Sequence, residues 1–255
     1  MRLWPGFYFS ALLYSCNNQP ADQIPRQTIS ETAQIRHAMV DTALQPLTQQ
    51  KQISGIEQTL IAAGLVDVLT LDSTIRVDLK YSSVENFAGI DMYGDFNKCY
   101  LQPDVAEMLV KSQSELKQKY PRYSLIVYDA SRPVHIQQLM WDTVQLPKGE
   151  KQKYLSNPGK GSLHNYGAAV DVSIIDSAGF TLDMGTPYDF FGEKAHPVRE
   201  QDLLKSGELT AEQISNRKIL RSAMRRGGFW GIQTEWWHFN ACTRKEAAEK
   251  YALVE

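Results

Sequence analysis

The chain has 255 residues, 27 Lys and Arg against 29 Asp and Glu for a formal charge of −2, with 43% apolar and 22% charged residues. These values exclude a mostly disordered chain, a basic phosphate-tracking nucleic-acid binder, and a multispan membrane protein with repeated apolar stretches of about 20 residues. At about 100 to 200 residues per domain there is room for one substantial domain plus an appendage, large enough to bury a core without disulfide staples.

Residues 1–16 carry Arg2, an apolar run from Leu3 to Leu13, and Tyr14-Ser15-Cys16. The run is too short to span a bilayer and reads as an export signal. Leu13-Tyr14-Ser15-Cys16 resembles the bacterial lipobox, in which the Cys is lipidated, although Tyr14 is bulky for that pattern. The expected location is periplasmic or outer-membrane-anchored; the alternatives are a misplaced start or a buried N-terminal helix, and a cytoplasmic protein. Cys16, Cys99 and Cys242 are an odd set. Lipidation of Cys16 leaves an even pair, which either forms one disulfide in an oxidising compartment or stays as two buried thiols.

Residues 17–55 are rich in Gln, Thr, Asn and Ala, with Pro20, Pro25 and Pro46, and read as a polar tether. From residue 56 the pattern tightens. Ile75–Tyr81 alternates apolar and charged residues, the signature of a half-buried strand. Pro103-Asp104 opens a helix with Val105, Met108, Leu109 and Leu116 on one face. Ser124–Tyr128 reads as a buried strand, followed by a helix through Ile136, Leu139 and Met140. Ala168–Ile174 is a further strand. Thr210-Ala211-Glu212-Gln213 matches a capping box whose helix runs to Gly227-Gly228, and Arg221, Arg225 and Arg226 read as a helix end complementing the dipole. Phe229–Asn240 is an aromatic final strand region. The layout is one α+β domain over residues 56–255, without repeats.

Two segments concentrate chemistry: Gly161-Ser162-Leu163-His164-Asn165-Tyr166-Gly167-Ala168-Ala169-Val170-Asp171 and Thr234-Glu235-Trp236-Trp237-His238-Phe239. His164, Asp171 and His238 offer two imidazoles and a carboxylate, a set that leaves a fourth zinc position open. Glu235 could take a proton from water activated there. Asp171 lies seven positions after His164, so on one continuous strand they would face opposite ways; a break is required, and Gly167 can supply it. Glu235 and His238, three apart, diverge on a flat strand, so Glu235 must enter from the turn before it. A His among aromatics is more often structural than ligating, whereas Asp171 in an apolar strand costs several kcal/mol, about, unless paired or ligated.

Ser-x-His-x6-Asp followed by Glu-x-x-His resembles the D-alanyl-D-alanine dipeptidase family, zinc enzymes related to D,D-carboxypeptidases and the hedgehog fold. Asp78-Leu79-Lys80-Tyr81 with Glu85-Asn86-Phe87-Ala88-Gly89, Ser131-Arg132-Pro133, and Met184-Gly185-Thr186-Pro187-Tyr188-Asp189 resemble further blocks, over residues 66 to 240. The resemblance implies a hedgehog/D,D-peptidase-like domain with a small mixed or antiparallel sheet flanked by helices. It also implies one Zn2+ per chain on His164, Asp171 and His238, Glu235 as general base and Arg132 as oxyanion stabiliser. Ser162, Tyr81 and Asp189 would line a dipeptide pocket, with Asp189 facing the substrate ammonium. The substrate is then a small free-amine dipeptide, first D-Ala-D-Ala.

Two other functions stay open: a peptidoglycan D,D-carboxypeptidase or endopeptidase on the same scaffold, and a zinc-stabilised binding module. Apart from the resemblance, Arg132 reads first as a solvated first-turn residue, Tyr81 could be packing and Asp189 a turn residue. His37, His135 and His196 have no matched role, and no protein partner can be inferred.

Overall fold

The computed structural model describes residues 53–145, 148–152 and 155–255. The expected export signal, Cys16, His37 and most of the tether lie outside them. Helix α1, Gly55–Ala62, opens the described chain, with Ser54 Oγ accepting from the Glu57 amide at 3.1 Å. Strand β1, Val66–Asp67, is followed by β2, Arg76–Val77, and by β3, Tyr100–Leu101, which pairs antiparallel with β1.

The expected strand over Ile75–Tyr81 survives as a burial pattern rather than as a ladder. Ile75, Leu79 and Tyr81 are buried, while Arg76 and Asp78 are exposed. Only β2 and the Asp78 amide reach the neighbouring strand, and Lys80–Ser82 coils into a 3-10 turn. The Tyr81 carbonyl is instead taken by the amides of Met92 and Tyr93, at 2.8 and 3.0 Å, which draw the tyrosine into the core.

Helix α2, Pro103–Lys119, has proline in its first turn and buries Val105, Leu109 and Leu116. It leads into β4, Ser124–Asp129, then helix α3, Val134–Thr143. Ile136 and Met140 of α3 are buried, but Leu139 is 41% exposed, contrary to the expected stripe. Gln137 takes the inward position because its Oε1 accepts from Arg132 Nη1 at 2.8 Å. A short helix α4, Lys148–Lys151, precedes β5, Ala169–Ile175, and helix α5, Glu200–Lys205.

Helix α6, Ala211–Gly227, begins with the expected reciprocal cap: Thr210 Oγ1 accepts from Gln213 N at 3.1 Å, and Gln213 Oε1 from Thr210 N at 2.9 Å. Gly227 lets α6 approach α2, since a Cβ there would sit 1.8 Å from Ser112 Oγ. Arg221 is not a solvated helix-end charge. It forks onto Glu200 at 2.7 and 2.8 Å, tying α6 to α5. The aromatic segment forms a hairpin of β6, Trp230–Gly231, and β7, His238–Asn240, after which α7, Arg244–Lys250, closes the described chain.

The main sheet runs β2-β4-β5-β7-β6, with β2 and β4 parallel and the other pairs antiparallel. This is the mixed-sheet α+β domain that the sequence implied. Cys99 is buried and Cys242 half-buried, and both are free thiols, so the disulfide alternative is not the arrangement found.

Candidate metal centre

Strand register does the first part of the assembly. Asp129 of β4 lies opposite Asp171 of β5, and Asp171 lies opposite His238 of β7, so three residues remote in sequence form one row across the sheet. His164 joins from a 3-10 turn, Leu163–Tyr166, that ends at Gly167 in the left-handed region, φ 65°. A side chain there is excluded twice: the conformation disfavours it, and a Cβ would lie 2.8 Å from both Leu65 Cδ2 and Ser131 Oγ. The break demanded by the seven-residue spacing is thus at Gly167.

The turn is stitched in place by backbone groups. Arg132 N donates to His164 O at 3.0 Å, Asn165 Nδ2 to Arg132 O at 2.7 Å, and Val254 N to Asn165 O at 2.8 Å. Ser162 caps it, its Oγ accepting from His164 N at 3.4 Å.

The three potential ligand atoms converge. His164 Nε2, Asp171 Oδ1 and His238 Nδ1 form a triangle with edges of 3.4, 2.9 and 3.2 Å. Ligands about 2.0 to 2.1 Å from a tetrahedral zinc ion stand about 3.3 to 3.4 Å apart, so the set fits such an ion. Among the described residues this is the group of three metal-capable side chains that comes together. The far atom of each ligand is also held: His164 Nδ1 donates to Ala130 O at 2.7 Å, His238 Nε2 to Asn240 Oδ1 at 2.8 Å, and Asp171 Oδ2 accepts from Tyr188 Oη at 2.9 Å. Such outer contacts turn the other nitrogen of each ring inward, from which it can give its lone pair to an ion.

A family model described as D-ala-D-ala dipeptidase, Peptidase_M15, matches residues 61–253. The chain belongs to this family. It is 33% identical over 175 residues to a D-alanyl-D-alanine dipeptidase of Escherichia coli (strain K12), covering 69% of this chain and 83% of that one. A D-alanyl-D-alanine dipeptidase of Enterococcus faecium is 27% identical over 181 residues, 65% of this chain and 85% of that one. Among solved structures, the LdcB LD-carboxypeptidase aligns over 59% of this chain and 63% of its own, with 22% identity and a TM-score of 0.36.

The candidate site of this M15 metallopeptidase is a cavity of about 250 Å3 lined by His164, Asp171 and His238 together with Tyr81, Arg132, Ser162, Asp189 and Glu235. Glu235 comes from the loop before β7, as its spacing required, with Oε2 4.0 Å from His238 Nδ1. Burial pushes its carboxyl up to about 7; the His238 charge opposes that rise and the Asp171 charge adds to it. Burial would lower His238, but the hydrogen bond and charge of Asp171 hold it up at about 9. Asp171 is driven the other way: burial would raise it, and His164 and His238 hold it far below the usual carboxylate range.

Arg132 is buried, not the solvated first-turn residue that its place before Pro133 also allowed. Its Nε donates to Asp129 Oδ2 at 3.0 Å, Nη2 donates to the same oxygen, and the guanidinium lies 5.2 Å from the centre of the Tyr81 ring. Tyr81 Oη donates to Asp189 Oδ2 at 2.8 Å. Asp189 has φ 57°, the one positive value among the described non-glycine residues, and burial pushes its carboxyl well above the ordinary range despite that hydrogen bond.

Sequence reading did not single out Asp129, Tyr188, Gln137 or Asn240. Asp129 carried a signal, a carboxylate ending an apolar strand three residues before Arg132. The Tyr188 hydroxyl carried none, because its partner Asp171 is 17 residues away on another element.

Proposed function

We propose that this peptidase hydrolyses a dipeptide with a free amino terminus, D-Ala-D-Ala first, using zinc held by His164, Asp171 and His238. The observation that carries the reading is the convergence of those side chains beside the half-buried Glu235 carboxylate in a cavity that Asp189 also lines. When bound, zinc supplies a Lewis acid and lowers the pKa of water to about 7. Glu235 takes the proton from the attacking water and delivers it to the leaving amine, a transfer suited to a carboxyl poised near neutrality. Arg132 has five N–H bonds, of which three go to Asp129 and Gln137; the other two stabilise the oxyanion as it forms.

Asp189 receives the substrate ammonium, whose charge favours the ionised carboxylate over the neutral form that burial alone prefers. Its half-buried place beside Tyr81 supports a dipeptidase over a carboxypeptidase acting on blocked stem peptides, since an unmatched buried carboxylate weakens binding. A binding module would have no use for Glu235 and Arg132. Arg2, the short apolar run and Cys16 support export and lipid anchoring, and with them a reaction outside the cytoplasm.

The test offers purified protein D-Ala-D-Ala, L-Ala-L-Ala and N-acetyl-D-Ala-D-Ala, with and without chelator, beside Glu235→Gln. The expected result is chelator-sensitive cleavage of a free dipeptide only, with the variant retaining one zinc per chain and losing about 100- to 10,000-fold in kcat. Cleavage of the acetylated peptide as fast as the free one, or full turnover by the variant, would refute it.

A further inference from the structure

We infer that Arg244 reads the C-terminal carboxylate of the substrate, so that the pocket selects dipeptides free at both ends. The inference rests on the dipeptidase reading above and names what recognises the opposite end of the substrate. A free dipeptide is a zwitterion. A site that holds its ammonium on a carboxylate gains further selectivity by offering its carboxylate a fork-shaped cation.

Two arginines line the cavity, Arg132 and Arg244. Arg132 already gives three donors to Asp129 and Gln137 and stacks against Tyr81. Arg244 is exposed, and among the described residues it has no hydrogen-bonding or ion-pairing partner. Helix stability does not explain it, because Arg244 opens α7 and a cation is disfavoured in a first helical turn.

Its backbone is nevertheless firmly placed. Thr243 and Glu246 form a reciprocal cap, with amide contacts of 2.7 and 3.2 Å, Ala247 is fully buried, and Tyr251 Oη donates to Asp104 at 2.8 Å. The point from which the Arg244 side chain reaches is therefore fixed, while the side chain itself is ordered only on binding an anion.

Strand order sets the direction. Tyr81, which holds Asp189, follows edge strand β2, and Tyr188 packs on Tyr128 of β4 at 5.3 Å. Arg244 follows β7, on the other side of β5, the strand that bears Asp171. Asp189 is thus tied to the β2 and β4 side of β5, and Arg244 to its β7 side. The cavity, about 250 Å3, is below the range of roughly 300 to 1,000 Å3 of pockets for larger ligands.

The test compares kcat/KM for D-Ala-D-Ala and its C-terminal carboxamide in the wild type, Arg244→Ala and Arg244→Lys, each checked for an unchanged melting temperature. The wild type should prefer the acid by about 10- to 100-fold, the range for a charged hydrogen bond. That ratio should fall at least about tenfold in Arg244→Ala, through KM, and recover in part in Arg244→Lys, which keeps the charge and loses the fork. A wild-type ratio near one, or an unchanged ratio in Arg244→Ala, overturns the inference while leaving the dipeptidase reading intact. Hydrolysis of neither compound removes that reading, and the inference with it.

Discussion

Asp129 is the side chain on which the buried charge of this site depends. It is fully buried, accepts from Arg132 Nε at 3.0 Å and from Arg132 Nη2, and its other oxygen accepts from Tyr93 Oη at 2.6 Å. Burial works against the Arg132 charge, and Asp129 restores it, holding the guanidinium well above its ordinary pKa. In Asp129→Ala, a cation with 7% side-chain exposure would lose its counterion. Breaking such a pair from one side costs about 3 to 5 kcal/mol. For a domain of this size that corresponds to a melting temperature lower by about 6 to 20 °C. Urea unfolding of Asp129→Ala, Arg132→Met and the double variant would measure it. The double variant should recover most of the lost stability, because no unpaired charge remains, yet stay inactive. A loss under about 1 kcal/mol in Asp129→Ala, or a double variant no more stable than the single, would show that Arg132 does not depend on this partner.

Other consequences can be checked separately. Tyr188→Phe removes the hydroxyl that donates to Asp171 Oδ2 and should weaken zinc binding by about 10- to 100-fold in competition with a chelating dye; unchanged affinity would make the contact incidental. Glu235 must be ionised to accept a proton, so kcat/KM should fall as pH drops through its pKa. Burial, with the charges of His238, Asp171 and Arg132 around it, sets that value at about 7 without the ion, and a cation on the neighbouring side chains favours the ionised form, so the acid limb of the zinc-loaded enzyme should have its midpoint below 7. A midpoint above 7 would contradict the assignment. Cys16→Ser should move the full-length protein from the membrane fraction to the soluble one in a bacterial host; an unaltered distribution would remove the proposed anchor.

The helices were largely legible because their signals are local. The Thr210–Gln213 cap, Pro103 in a first turn and Gly228 past the end of α6 each act within a few residues, and the structure has all three. The break at Gly167 could also be deduced, since two candidate ligands seven positions apart on a strand cannot share a face without one. The strand at Ile75–Tyr81 was only half legible. Alternation reported burial correctly, but whether a buried segment pairs along its whole length depends on a partner, and Met92 and Tyr93 claimed the Tyr81 carbonyl. Leu139 failed for the same kind of reason, because Arg132 needed Gln137 on the inner face of α3.

By itself, the sequence determined which residue types were available for chemistry, how the helices begin and end, and where the chain must bend. Only the tertiary structure decided that Asp129, Asp171 and His238 fall in one row across three strands, that Tyr188 reaches Asp171, and that Arg132 is buried. Those outcomes depend on strand register and on packing between elements; the paired strand residues lie tens of residues apart, and one step of register would turn every side chain to the opposite face.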